Sequence, residues 1–436
     1  MVSQKGSRGN HISDEPVGLA YTFRALRGRN YRLFFIGQGI SLIGTWMQQV
    51  AMSWLVYSLT NSAFLLGVVA FSSTIFSFIL APFTGVLVDR LNRHRIVVIT
   101  QALSMVQALV LTAVVMTGNA AVWNLILLSA VLGVINAVDM PTRQSFVVEM
   151  VDKKEDLSNA IALNSSLFNS ARLIGPTVAG ILVATIGEGL CFLLNGLSFI
   201  AVIACLLAMR LTPKPAGIEH PDVFKGMKEG LKYAFGFAPI RYIILLLSFA
   251  SLVIMPYTVL LPVFAMQILK GGANIFGFLT TAAGVGALIG AIYMATRRNV
   301  VGIIKILVLA SLIFGAGLIM LSFTRMLWLS LIAMALAGFG MVVTMASCNT
   351  FLQSIADDDK RGRVMGFYVM AFMGLAPFGS LLYGGLASAM GTPLTLMIGG
   401  GLYMAGTILF AWKFSSVGAV MRDVYLKKGI ISPRAD

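Results

Sequence analysis

The sequence predicts an all-α membrane protein in which twelve transmembrane helices form two pseudo-symmetric six-helix halves, and three observations carry that prediction. Hydrophobic residues make up 58% of the chain and charged residues 11%, with a mean hydropathy of +0.88; a soluble domain carries about a quarter charged residues. Apolar runs of about 20 residues, each long enough to cross a bilayer core of about 30 Å, recur from Leu33 to Phe414. Finally, lysine and arginine segregate. Of 32 such residues, all but Arg172, Lys270 and Arg325 fall in the tails, in alternate connections or at the span ends beside them, on the side that holds the amino terminus.

The expected spans are 33–58, 64–88, 96–117, 122–147, 160–186 and 190–209, then 242–266, 275–296, 303–323, 327–355, 364–388 and 393–413. Residues 1–32 form a polar tail, 33–209 an N-terminal half, 210–241 a linker, 242–413 a C-terminal half and 414–436 a second tail. On the first span Gln38, Ser41, Thr45, Gln49 and Met52 repeat every three or four positions, which places them on one polar-to-soft helical stripe flanked by Trp46 and Trp54. Between the second and third spans, Gly85 to Arg95 is a charged cluster that lipid tolerates only at its boundary, so it is a short turn. The fourth span contains Asp139 and the fifth Arg172, with Gly175, Pro176 and Gly180 beyond it. Cys191 and Cys205 share the sixth span about 21 Å apart, too far to bridge.

The linker carries four prolines, and within it Val223, Phe224, Met227, Leu231, Ala234 and Phe235 recur at helical spacing, which reads as an amphipathic helix on the membrane face. The seventh span offers Tyr257, the tenth Thr344 and Asn349, and the eleventh an Ala376-Pro377 break. Glycines from Gly284 to Gly290 lie inside a span, where they favour close helix packing over nucleotide binding.

The charge asymmetry puts both termini in the cytoplasm by the positive-inside rule. The net charge of +15 is therefore topology, and nucleic acid is excluded as a partner. The polar first twenty residues and the length of the first span argue against a cleaved signal peptide. His11, His94 and His220 all fall in cytoplasmic segments, and no His/Cys metal spacing, phosphate loop or nucleophile–base–acid set occurs in the sequence. No cofactor and no metal are expected, and transport is favoured over catalysis.

The two halves echo each other. Ser145-Phe146 and Val151-Asp152 recur as Thr350-Phe351 and Ala356-Asp357, and Leu66-Gly67 recurs as Phe276-Gly277, at separations of 205 to 210 positions. Parallel repeats of this kind place a solute site between the halves near the midplane.

Gly85, Asp89, Arg90, Arg93, His94 and Arg95 stand at the spacing of the signature loop of the major facilitator superfamily, which the chain resembles, with Asn92 where that family usually has glycine. Asn136 to Gln144, Ala160 to Asn169, Ala171 to Pro176 and Arg361 to Gly366 resemble its bacterial transmembrane secretion effector branch, the group of the enterobactin exporter, from about Leu26 to Phe414. The resemblance implies an alternating-access transporter of the inner membrane, a monomer of two halves, with the lipid bilayer, a small-molecule solute and a proton gradient as partners. It implies a cytoplasmic latch of Gly85, Asp89, Arg90, Arg93 and Arg95 received by the start of the eleventh helix, near Asp357 to Asp359 and Gly362 to Val364. It implies a cavity lined by helices one, four, seven and ten, which offers Gln38, Thr45, Trp46, Gln49, Asn136, Tyr257 and Asn349. Gly175, Pro176 and Gly180 resemble an exporter-associated motif and favour export, by antiport with protons, of an amphipathic, siderophore or drug-like solute. An uptake symporter and a non-transporting receptor or lipid-handling protein are the alternatives.

Of the 17 acids only Asp139 is deep in an expected span. A charge at the bilayer centre costs roughly 2.5–3.5 kcal/mol on the lenient scale, so such residues face a cavity or a partner. Asp139 has two possible partners, Arg172 on the next helix and Arg143 one turn away. Two roles stay open for it: proton coupling, and structural pairing with an arginine.

Overall fold

Each expected span is helical, two of them with internal breaks, and the ends are displaced by no more than four residues. The computed structural model describes residues 23–211, 232–297, 300–357, 360–416, 421, 424–426 and 428, without the side chains of 81–82, 85–90 and 154. In chain order the helices are α1 (Arg29–Thr60), α2 (Ala63–Arg90), α3 (Arg93–Met116), α4 (Val122–Met150), α5 (Leu157–Ile186) and α6 (Glu188–Leu207). The second half holds α7 (Ala238–Ile268), α8 (Ala273–Thr296), α9 (Ile303–Phe323), α10 (Leu327–Ile355), α11 (Arg361–Met390) and α12 (Thr392–Ser415). Among the described residues no strand occurs, as lipid requires of any span that must satisfy its own backbone. Residues 212–231, most of the expected amphipathic linker helix, lie outside the described residues; its last turn, 232–236, is helical.

Eleven of the twelve helices are long and apolar enough to cross a membrane. The other is α1, whose 32 residues are long enough but whose glutamines and serines lower its hydropathy. Local signals set several ends. Asn61 stops α1 in a left-handed conformation, φ 50°, with its N–H on the Tyr57 carbonyl. Asn92, the departure from the family loop, caps α3 by accepting from the Arg95 N–H at 3.0 Å.

The halves repeat one packing scheme. α1 lies on α5 and α6, α2 on α4, and α3 on α4 and α6; α7 lies on α11 and α12, α8 on α10, and α9 on α10 and α12. Between the halves there are two long seams, α2 against α11 and α5 against α8.

Each seam closes on a pair of glycines. A Cβ on Gly180 would lie 3.0 Å from the Gly277 Cα and 2.8 Å from the Ala273 carbonyl oxygen; one on Gly384 would lie 3.1 Å from the Gly67 Cα and 2.7 Å from the Ala63 carbonyl oxygen. Only glycine allows such an approach. Gly67 and Gly277 open α2 and α8, and Gly180 and Gly384 lie in the last turns of α5 and α11, so the same contact is made twice. The rest of the α2–α11 seam runs from the Phe64 N–H, which donates to Ser388 Oγ at 3.0 Å, through the Phe71–Phe378 ring pair at 5.9 Å, to Gly374 against the Phe78 ring.

The glycine pairs lie toward the ends remote from the basic connections, and the α2–α11 seam extends from there to mid-depth at Phe78 and Gly374. At the basic end the halves part. A Cβ on Gly362 or Gly366 of α11 would meet nothing within 4 Å among the described residues. Gln144, Ser165, Ser166, Thr350 and Gln353 are exposed there on α4, α5 and α10. Polar side chains left exposed on membrane-length helices need water, so the space between the halves is a cavity open at the basic end.

Candidate functional site: the cavity between the halves

The α1 stripe survives folding but divides in two. Thr45 and Gln49 are exposed, whereas Gln38 and Ser41 are buried. Thr45 turns its hydroxyl back to the Ser41 carbonyl at 2.9 Å. Trp46 packs edge-on against Phe168 of α5, ring centroids 5.8 Å apart, and its Cβ occupies the space that a side chain on Gly175 would need. Asn136 on α4 is exposed, Asn349 on α10 is half-buried and accepts from Gln353 Nε2 at 2.5 Å, and Tyr257 on α7 is buried.

Beneath Gln38 lies a polar knot. Asp139, 3% exposed, accepts from Thr100 Oγ1 at 2.7 Å and Gln101 Nε2 at 2.9 Å, both on α3. Its other oxygen meets Arg143 Nε at 2.8 Å, and Arg143 Nη1 donates to Gln38 Oε1 at 2.6 Å. The structure thus decides between the two arginines: Asp139 takes Arg143. The knot joins α1, α3 and α4, and both carboxylate oxygens are engaged. The sequence reading missed Thr100 and Gln101; two adjacent polar residues within an apolar span were the available signal. A second buried relay, Asn195 Nδ2 to Gln48 Oε1 at 2.8 Å and Gln48 Nε2 to Gln107 Oε1 at 3.0 Å, ties α6, α1 and α3.

Arg172 stands apart from this knot. It occupies the middle of α5, about 22 Å from the Leu157 end at 1.5 Å per residue, and is partly exposed. Among the described residues no carboxylate lies within ion-pair distance of it. Its electrostatic neighbour is the Tyr257 hydroxyl of the other half. Pro176, one turn on, has no N–H to offer the Arg172 carbonyl. Pro176 and Gly180 themselves build the α5–α8 seam: the Pro176 carbonyl oxygen would lie 2.7 Å from a Cβ on Gly277. Beside it Thr177 and Thr281 join hydroxyls across the halves at 2.5 Å, a contact the sequence reading did not foresee.

Tyr257 sits where α7 is irregular. The α-helix stops at Val253, a 3-10 segment spans Met255–Leu260, and a π turn follows at Phe264–Ile268. Pro256 withholds an N–H from Leu252, and the Tyr257 N–H bonds to the Ile254 carbonyl at 3.3 Å in place of Val253. The freed Val253 carbonyl accepts from the Tyr383 hydroxyl of α11. α11 is itself interrupted at Leu375, before Pro377, and its Phe372 carbonyl accepts from Ser251 Oγ at 2.7 Å. The two breaks brace each other at mid-depth, the position at which transporters place solute.

The signature loop is only partly visible. Gly85, Asp89 and Arg90 lie in the last turns of α2, with side chains outside the described residues. Arg93 pairs with Glu149 of α4 at 2.7 Å, and Arg95 is exposed. Around them the first half is tied together. His94 Nε2 lies 2.9 Å from the Leu206 carbonyl, Arg24 Nε meets Asp156 at 3.0 Å, and the Tyr31 hydroxyl donates to Ala160 at 2.7 Å. Burial pushes the Tyr31 phenol up to about 12, so it keeps the proton it donates. In the second half Lys360 lies over the Tyr233 ring at 4.6 Å and Lys428 Nζ donates to the Ala356 carbonyl at 2.5 Å, capping the end of α10.

Two repeated halves, glycine seams between them and a polar cavity open at one end define a membrane transporter, not an enzyme. The chain belongs to the transmembrane secretion effector family of major facilitator transporters, which matches residues 20–422. The staphyloferrin A transporter of Staphylococcus aureus is 27% identical over 87% of this chain and 95% of its own. The multidrug efflux pump Tap of Mycolicibacterium fortuitum is 24% identical over 83% and 88%. The enterobactin exporter EntS of Escherichia coli is 26% identical over 87% and 90%. Among solved structures, the nucleoside transporter NupG superimposes with a TM-score of 0.68 at 14% identity, covering 89% of this chain and all of that one, a likeness of fold alone.

Proposed function

We propose that the protein is a secondary active exporter that moves a small organic, amphipathic solute across the inner membrane by alternating access, in antiport with protons. The observation that carries this reading is the one-ended cavity, sealed by paired seams at one end and open at the basic end. The positive-inside rule makes the basic end cytoplasmic, so this conformation faces inward and is ready to load from the cell. Rocking of one half against the other would open the glycine seams and bring the basic ends together, with Asp89 and the loop arginines latching onto the start of α11. Export is favoured by the relatives named for efflux and export and by the Gly175-Pro176-Gly180 segment. Thr45, Trp46, Gln49, Asn136 and Asn349 line the solute path, with Tyr257 buried behind them. Asp139 serves as a scaffold holding α1, α3 and α4, since Arg143, Thr100 and Gln101 occupy it.

The test is solute flux in everted membrane vesicles with an imposed pH gradient, using a panel of labelled siderophores and drugs. Accumulation inside the vesicles that collapses with a protonophore is the expected result. Flux in the opposite sense would make the protein an uptake symporter, and gradient-independent silence across the panel would remove transport of such solutes.

A further inference from the structure

We propose that Arg172 is the anion-recognising group of the solute site, so that the cargo is an amphipathic organic anion bearing a carboxylate or similar oxyanion. The proposal rests on the transport reading above and adds the charge of what is carried.

The argument begins with charge balance at depth. Asp139 and Arg143 cancel, and each is further engaged, Asp139 by Thr100 and Gln101 and Arg143 by Gln38. Among the described residues, Arg172 is left as an uncompensated positive charge in the middle of α5. A charge is retained at that depth only against a cost, and it then faces water or a partner. A guanidinium offers five donors in a planar fork and no acceptor, a match for two oxygens of a carboxylate. No hydrogen bond to a described residue engages that fork. Tyr257, its neighbour, is at most a hydroxyl dipole and cannot neutralise it.

Placement adds to charge. Arg172 shares one face of α5 with Ser165, Phe168 and Asn169, and Ser165 and Phe168 are exposed. Below the guanidinium, Phe168 and Trp46 form an aromatic wall from the first half. On the side of the second half, Tyr257 is buried and packs edge-on against the buried Phe314 ring at 5.9 Å, behind the accessible surface. A positive fork beside an exposed aromatic wall suits a solute with a flat apolar body and an anionic end. Arg172 and Tyr257 belong to opposite halves, so a solute held by Arg172 sits at the boundary between them and leaves when the halves rock apart.

Three pyrene derivatives with one aromatic body separate charge from hydrophobicity: pyrenebutyrate, its neutral amide and the matching trimethylammonium compound. Binding to the purified full-length protein in detergent is read by fluorescence anisotropy. The wild type is expected to bind the anion at least about tenfold more tightly than the amide, with the cation weakest. Arg172→Lys should keep part of that preference, and Arg172→Gln should bind anion and amide alike. Equal or tighter binding of the amide or the cation by the wild type overturns the proposal without any variant. An anion preference that survives in Arg172→Gln overturns it as well. The same compounds are then followed in everted vesicles. Anion binding without movement of any member would strike the transport reading and leave the anion site standing, whereas movement of the cation in preference to the anion would do the reverse.

Discussion

Gly180 of α5 and Gly277 of α8 face each other so closely that a Cβ on either would lie 3.0 Å from the other's Cα. With Gly67 and Gly384 on the opposite seam, they fix where the halves meet. A side chain at Gly180 must push α8 away, and overpacking a close contact costs about 1–3 kcal/mol. At about 1.4 kcal/mol per factor of ten, Gly180→Leu should deplete the inward-facing state by roughly five- to 150-fold. The measurement is spin-label distance between the outer ends of α5 and α8 in detergent. A longer mean distance is expected, with Gly384→Leu doing the same for α2 and α11; distances equal to wild type would show that the glycines do not set the closed state.

The contact that seals the first of these seams can also be made covalent. Thr177 and Thr281 hydroxyls meet across the halves, so cysteines in their place fall within reach of a disulfide. The double variant Thr177→Cys/Thr281→Cys should cross-link under oxidation and stop transport, and reductant should restore it. Full transport by the cross-linked protein would mean that this seam never opens.

How much of this was legible beforehand depends on how far apart the partners lie in the chain. Span positions follow from apolar length alone, and Leu66-Gly67 with Phe276-Gly277 already marked the repeat. The pairing of Gly67 with Gly384, or Gly180 with Gly277, was not readable, because a glycine announces that something comes close without saying what. Asp139 was recognisable as a buried acid, yet its choice of Arg143 over Arg172 depends on where α1 and α3 deliver Gln38, Thr100 and Gln101. Tyr257 was placed on a cavity-lining helix by the resemblance, but the 3-10 segment that holds it comes from Pro256 acting in a packed context.

Asp139 offers a direct separation of scaffold from coupling. Removing one partner of a buried ion pair costs about 3–5 kcal/mol, because the other charge is stranded. Asp139→Ala should therefore lower the apparent melting temperature sharply, and Asp139→Asn less so, since the amide oxygen still accepts from Thr100 or Gln101. Combining Asp139→Asn with Arg143→Gln should recover most of the loss, as a double-variant cycle would register. Proton-dependent flux should persist in Asp139→Asn protein that folds. Its selective loss, with binding and melting intact, would move Asp139 from scaffold to coupling site.

The brace between the two broken helices can be removed by one oxygen atom. Tyr383 of α11 supplies the hydroxyl that satisfies the Val253 carbonyl, left without a helical partner when α7 turns to 3-10 geometry. Tyr383→Phe keeps the ring and its packing, so its effect isolates that bond. A buried carbonyl stripped of its donor costs about 1–3 kcal/mol. That loss should fall on the α7 break, because Val253 and the 3-10 turn share the freed acceptor, while Ser251 still holds Phe372 from the other side. Hydrogen–deuterium exchange read by mass spectrometry should show faster exchange in peptides covering residues 253–260, with α8 to α10 unchanged. Protection equal to wild type in that segment would mean that the break holds its shape through Pro256 alone, and that Tyr383 contributes packing without bracing it.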